Sequence, residues 1–172
     1  MNWLAKLLFE RKLKSFERTV VVSNFKTAKK ALVLYNADDK VSEEQIREFS
    51  KYVSSQNIKT TVLGYQSKKS NQVDKTVKEG HLYFDKSVVN WLGVSKSSVI
   101  KELVDVEFDL LFDFNKGDAF PLRYISSLSK AKFKISWAIA YQKKVCDLTF
   151  EIKENNIKNL IEQIKHYLPM IN

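Results

Sequence analysis

The chain has little of what most catalytic and cofactor-binding motifs are made from. One cysteine, Cys146, occurs in 172 residues. It has no partner within the chain, so an internal disulfide is excluded and a reducing compartment, the cytoplasm, is the expected setting. Four glycines, Gly64, Gly80, Gly93 and Gly117, are widely scattered, and the turn after the first apolar run reads "NADDK". The dinucleotide fingerprint and the phosphate-binding loop both need clustered glycines where backbone approaches phosphate, so neither is present. Two histidines, His81 and His166, stand far apart, and no GxSxG, HExxH or CxxC occurs. The familiar hydrolase, zinc-protease and redox signatures are therefore missing, and no residue presents itself as catalytic. No cofactor is expected. Apolar runs such as "SVVNWLGV" fall far short of the roughly 20 residues that span a bilayer. A secretory signal is not expected either, because Lys6 interrupts the leading apolar stretch and no small-residue cleavage site follows.

Charge is abundant, and it is mostly of one sign. Lys and Arg number 29 against 20 Asp and Glu, a formal net charge of +9. Residues 1–30 hold eight bases against Glu10 and Glu17, so six of the nine net charges lie at the front of the chain. A nearly balanced body behind a cationic segment points to an anionic partner: RNA, a ribonucleoprotein or an anionic membrane surface.

That segment, "NWLAKLLFERKLKSFERTV", lacks glycine and proline and is built from good helix formers. At 100° per residue its apolar side chains form two stripes. Trp3, Leu4, Leu7 and Leu8 share one face, and Phe9, Leu13, Phe16 and Val20 nearly the opposite one. One helix cannot bury both against one surface, so either it bends near Phe9 or one stripe meets another chain. Lys6, Arg11, Lys12, Lys14 and Arg18 are the expected phosphate contacts. A partner protein docked on this helix is a further expectation, and oligomeric state is not legible.

The organisation expected is a basic helix and linker over 1–29, then a single α/β domain over 30–172. "KKALVLYN" is a continuous apolar run suited to a strand buried on both faces. "SEEQIREFSKYVSSQN" reads as a helix capped by Ser42, and "IKTTVLGYQ" as the next strand. Polar "SKKSNQVDKTVKEG" reads as a surface loop and "HLYF" as a third strand. "NWLG" reads as a tight turn at Gly93 with the Trp91 ring buried. "SKSSVIKELVDV" is a helix, capped by Ser95 or Ser97, and "FDLLFDFN" a fourth strand whose acids are expected to be scaffold. "DAFPLRYISSLSK" is a crossover helix with Asp118 as cap and Pro121 tolerated in its first turn. "KFKISWA" and "CDLTFEI" are strands, with Lys132 and Lys134 on one side of the former, as at a solvent-facing edge. "NNIKNLIEQIKHYL" closes the chain, with His166 in its last turn.

This alternation predicts a three-layer α/β sandwich with a mainly parallel, Rossmann-like sheet of five or six strands. Ligands in such sheets lie beyond the carboxyl ends of the strands, which makes Asp38, Asp39, Asn115, Lys116 and Asp118 the possible ligand loops. No metal site is assigned: adjacent acids at a strand end are ordinary turn formers. Cys146 beside Lys143 and Lys144 reads either as a strand-edge residue or as a thiol with a lowered pKa.

Taken together, "LYNADD", "VLGY", "NWLG", "FDLLFDFN", "FPLRYISSLSKAKFKIS" and "HYLPMIN" resemble an uncharacterised family of small α/β proteins from Bacteroidota, known only as a domain of unknown function. The resemblance covers most of the chain and implies no activity. Separately, "FDLLFDFN" through "SLSKAKFKIS" is similar to one strand, helix, strand unit of heptosyltransferase-type glycosyltransferases. That similarity spans about 30 residues and implies a shared scaffold.

Overall fold

In a computed structural model, residues 3–38, 40–68, 80–116, 119–153 and 156–171 are described. The expected loop over 67–80 falls largely outside them. In chain order the elements are α1 (Trp3–Lys14), β1 (Lys30–Asn36), α2 (Lys40–Ser55), β2 (Lys59–Gln66), β3 (His81–Asp85), α3 (Ser98–Asp105), β4 (Leu110–Asp113), α4 (Phe120–Leu128), β5 (Phe133–Trp137), α5 (Gln142–Val145), β6 (Leu148–Phe150) and α6 (Ile157–Tyr167). Short 3₁₀ turns follow β3 (Lys86–Val88) and α6 (Leu168–Met170).

The strands form one six-stranded sheet in the order β3-β2-β1-β4-β5-β6, parallel throughout. The continuous apolar runs explain this, since a parallel strand buried on both faces needs no polar alternation. In β1, Ala31, Val33 and Tyr35 pack with Ile46 and Phe49 of α2 and Leu160 and Ile164 of α6. Leu32 and Leu34 face Ile100 and Leu103 of α3 and Leu122 and Ile125 of α4. Gly64 of β2 is where a Cβ would lie 3.0 Å from ring carbons of Tyr35 and Tyr83, so the missing side chain lets those two rings meet. Tyr35 Oη donates to Tyr83 Oη at 3.2 Å and Tyr83 Oη to Glu43 Oε1 at 2.8 Å.

Several local expectations are corrected. Helix α2 begins at Lys40, so Ser42 sits inside its first turn rather than capping it. Of the two serines expected to cap α3, Ser97 does hold the N-cap position, though its side chain makes no capping bond. Ala119 occupies that position in α4, with Pro121 in the first turn, while Asp118 lies outside the described residues. Trp91 is not buried: it is 64% exposed. Strand β5 is not an edge either, because β6 pairs with it on its outer side.

Lys134 is the largest departure. It is fully buried. Its Nζ donates to the carbonyls of Ser126 (2.8 Å) and Ser127 (3.3 Å), in the last turn of α4. That helix has no basic residue of its own in that turn, so Lys134 meets the negative end of its dipole from across the layer. Phe16 lies over the ammonium, 5.5 Å from Nζ to ring centroid. Burial, with the Arg18 charge nearby, pulls the Lys134 pKa down to about 7.

Candidate functional site

Helix α1 rests on α4 through Ala5 and Phe9, both buried. The Phe9 ring meets Phe120 edge-on at 5.3 Å and Tyr124 at 5.7 Å, and the Arg123 guanidinium lies over it, 5.7 Å from its centroid. Leu13 and Phe16, from the same stripe, are half-buried. Val20 is exposed, because the helix ends at Lys14 and the helical spacing lapses before it. One stripe therefore docks, without a bend at Phe9. The other, Trp3, Leu4, Leu7 and Leu8, is exposed, Trp3 to 73%.

The five basic residues singled out in the sequence separate into two groups. Lys6, Arg11 and Lys14 are exposed and make no ion pair among the described residues. Lys12 is exposed but engaged: its Nζ donates to Tyr124 Oη at 2.8 Å and lies 5.3 Å from that ring. Arg18 is committed to the fold. Its Nη1 donates to the carbonyls of Ala131 and Lys132, each at 3.0 Å, and its Nη2 pairs with Asp147 Oδ1 at 2.6 Å. Asp147 uses its second oxygen to accept the Lys134 backbone N–H at 2.8 Å. Arg18 thus pins the linker across the start of β5, and it leaves the set of residues able to meet a phosphate.

The acids of "FDLLFDFN" bond to backbone N–H groups and to neighbouring side chains. Asp109 accepts the backbone N–H groups of Lys29 (2.9 Å) and Lys30 (3.1 Å) and pairs with Lys132 Nζ at 3.0 Å, joining the starts of β1, β4 and β5. Asp113 is buried at the end of β4, accepting from Tyr141 Oη at 2.9 Å and the Asn115 N–H at 3.0 Å. Burial raises its pKa against those hydrogen bonds. Asn115, also fully buried, donates to the Ala119 carbonyl at 3.3 Å and to Tyr141 Oη at 3.2 Å, closing the loop into α4. Burial also pushes the Cys146 thiol up to about 12, with Asp113 adding to it, a shift opposite in direction to that of an activated thiolate.

The order of strands reverses between β1 and β4, the place where open parallel sheets bind ligands. A crevice of about 240 Å³ lies there, lined by Asn36, Asp38, Ser42, Phe114, Asn115, Lys116 and Ile157. Three of the five expected loop residues, Asp38, Asn115 and Lys116, therefore come together. Asp39 and Asp118 lie outside the described residues. Asp38 Oδ1 accepts the Ser67 N–H at 2.9 Å, and the Lys116 ammonium sits 5.0 Å from the Trp137 ring centroid. These contacts tie the crevice residues to the segment after β2 and to the end of β5. Sequence reasoning missed Ser42 as a lining residue, having taken it for the cap of α2.

A family model described as "Family of unknown function (DUF6913)" matches residues 2–171. No curated protein and no solved structure matches the chain.

Proposed function

The chain belongs to that family, whose description carries no activity, and we propose from its geometry that it is a non-enzymatic, cytoplasmic binding protein docking through α1 on RNA within a ribonucleoprotein, as on a ribosome. One observation carries the reading. Ala5 and Phe9 fix α1 on the body, so that Lys6, Arg11 and Lys14 face solvent together with Trp3, Leu4, Leu7 and Leu8.

The mixture on that face selects the partner. Bare duplex phosphate offers nothing to three exposed leucines, whereas a ribonucleoprotein supplies phosphates, unstacked bases and protein surface side by side. A bilayer also offers anions and apolar contact. But Leu7, Arg11 and Lys14 fall at i, i+4 and i+7, along one line of the helix. A helix lying flat in the interface on its leucines would press Arg11 and Lys14 toward the acyl chains. Phosphate contacts on a rigid particle carry no such cost.

The test is the variant Lys6→Glu, Arg11→Glu, Lys14→Glu, which leaves Lys12 and Arg18 to the fold. Sedimentation of the wild-type chain with ribosomal or RNA fractions, lost in the variant and on nuclease treatment, supports docking. Unchanged sedimentation refutes it, and flotation of the wild-type chain with anionic liposomes assigns the helix to membrane instead.

The crevice favours a second reading, a small-ligand or sugar-nucleotide site at the switch point, because Asp38, Ser42, Asn115 and Lys116 converge there. A thermal-shift screen with nucleotides and Mg²⁺ exposes it, since a ligand at 100 times its dissociation constant stabilises by about 2.7 kcal/mol.

A further inference from the structure

The turn between the 3₁₀ segment Lys86–Val88 and α3 holds a tryptophan out of the molecule on a rigid support. Val89 and Ser95 bridge in antiparallel fashion, and the Asn90 N–H donates to the Val94 carbonyl at 2.9 Å. Asn90 Oδ1 accepts the N–H groups of Leu92 (2.9 Å) and Val94 (3.0 Å), and the Gly93 N–H donates to the Asn90 carbonyl at 2.9 Å. Gly93 has φ +78, and a Cβ there would overlap the Phe120 ring at Cδ1. The backbone of the turn is thus pressed against the Phe120 ring, and Trp91 is left outside at 64% exposure.

The turn itself packs through Val88, Val89 and the Gly93 backbone, and the indole stands outside that packing, open to a partner. Phe120 is also the ring that receives Phe9 of α1, 5.3 Å away. The turn and the docking helix therefore share one support. Lys86 and Lys96 are exposed on either side of the turn and make no ion pair among the described residues, and residues 86–97 contain no acid. Asn90 and Leu92, either side of the indole, are half-buried. An exposed indole in a segment whose only charged side chains are two lysines matches a stacked base with phosphates nearby.

Resting on the docking reading above, we infer that Trp91 is a stacking platform for an unpaired base of single-stranded RNA, with Lys86 and Lys96 meeting the flanking phosphates. The probe is an oligouridylate of about 12 nucleotides, within the span that one small binding module covers. Trp3 is kept, Trp137 is buried, and the contribution of Trp91 is read as the difference in emission between the native chain and Trp91→Phe. This emission should be quenched by the oligonucleotide. In the otherwise native chain Trp91→Ala should weaken binding about 5- to 150-fold, the range spanned by stacking on one ring. The salt dependence should keep its slope, because no phosphate contact is removed; Lys86→Glu with Lys96→Glu should make it shallower.

Emission unchanged up to about 0.1 mM oligonucleotide, the weak end of non-specific affinities, overturns the inference. So does Trp91→Ala binding as tightly as the parent, or quenching by anionic phospholipid vesicles and not by RNA. The two proposals fail separately. If Trp91→Ala is silent while the α1 triple variant still loses sedimentation, the stacking platform falls and docking stands. If the triple variant sediments normally, the docking reading falls.

Discussion

Arg18 Nη2 lies 2.6 Å from Asp147 Oδ1, and this pair fastens the linker after α1 to the loop that precedes β6. Both side chains are largely shielded from solvent, and the same guanidinium also serves two backbone carbonyls. Arg18→Ala should lower unfolding free energy by about 2 kcal/mol, as expected for hydrogen bonds to a charged group that leave their partners unmatched. Urea denaturation checks it. A change within 0.5 kcal/mol, about what a solvated surface pair gives, would return Arg18 to the surface cations.

Lys134 makes stability depend on alkaline pH. Its pKa falls from the ordinary 10.5 to about 7 in the folded chain. Between these values the unfolded chain holds the proton and the folded chain does not. Stability from this group is therefore fully present above about 10.5 and is lost as pH falls toward about 7. Within that window the slope approaches 1.4 kcal/mol per pH unit, about 2.303RT. Chemical denaturation across the window should show this rise with pH, and Lys134→Met should flatten it. Asp113 acts oppositely on the acid side: its raised pKa means stability is lost as pH rises from about 3.8 through its folded value.

Phe9 is the side chain that holds α1 down. Phe9→Ala should cost about 3 kcal/mol at this helix interface, the lower end for large aromatic truncations. Limited trypsin digestion should then cut at Lys6, Arg11 or Lys14 while residues beyond Lys30 stay intact. Cleavage no faster than in the wild type would mean that other contacts hold the helix.

Gly93→Ala tests whether the Trp91 turn is rigid. The new methyl would occupy a left-handed backbone position and collide with Phe120. A penalty of about 1 to 3 kcal/mol follows, and the emission of Trp91, read against Trp91→Phe, should change. An unaltered melting temperature would show that the turn yields freely.

The alternation of strands and helices was legible because parallel strands leave unbroken apolar runs, as in Ala31–Tyr35, and amphipathic helices leave a 3.6 period, as in Leu160, Ile161 and Ile164. The switch-point loops followed from that alternation, which is why Asp38, Asn115 and Lys116 could be grouped without coordinates. Lys134 was misread for a physical reason. Alternation states which residues share a side, but not what covers that side, and here the end of α4 and Phe16 cover it. The polar "SSLS" at the end of α4, with no cation of its own, was the available signal. Trp91 was misread because an aromatic next to a turn glycine usually packs inward; at Gly93 it is the backbone that packs, against Phe120. Arg18 differed from Arg11 only in lying beyond the helix, where its partner, Asp147, is 129 residues away.

The central claim is that the exposed face of α1, and not the acids of the sheet, carries function. Sucrose-gradient sedimentation of native-cell extract with the wild-type chain and the Lys6→Glu, Arg11→Glu, Lys14→Glu variant, with and without nuclease, tests it most directly. Wild-type protein migrating with ribonucleoprotein, released by nuclease and absent from that fraction in a still-folded variant, is the predicted result. Identical migration of variant and wild type would contradict it.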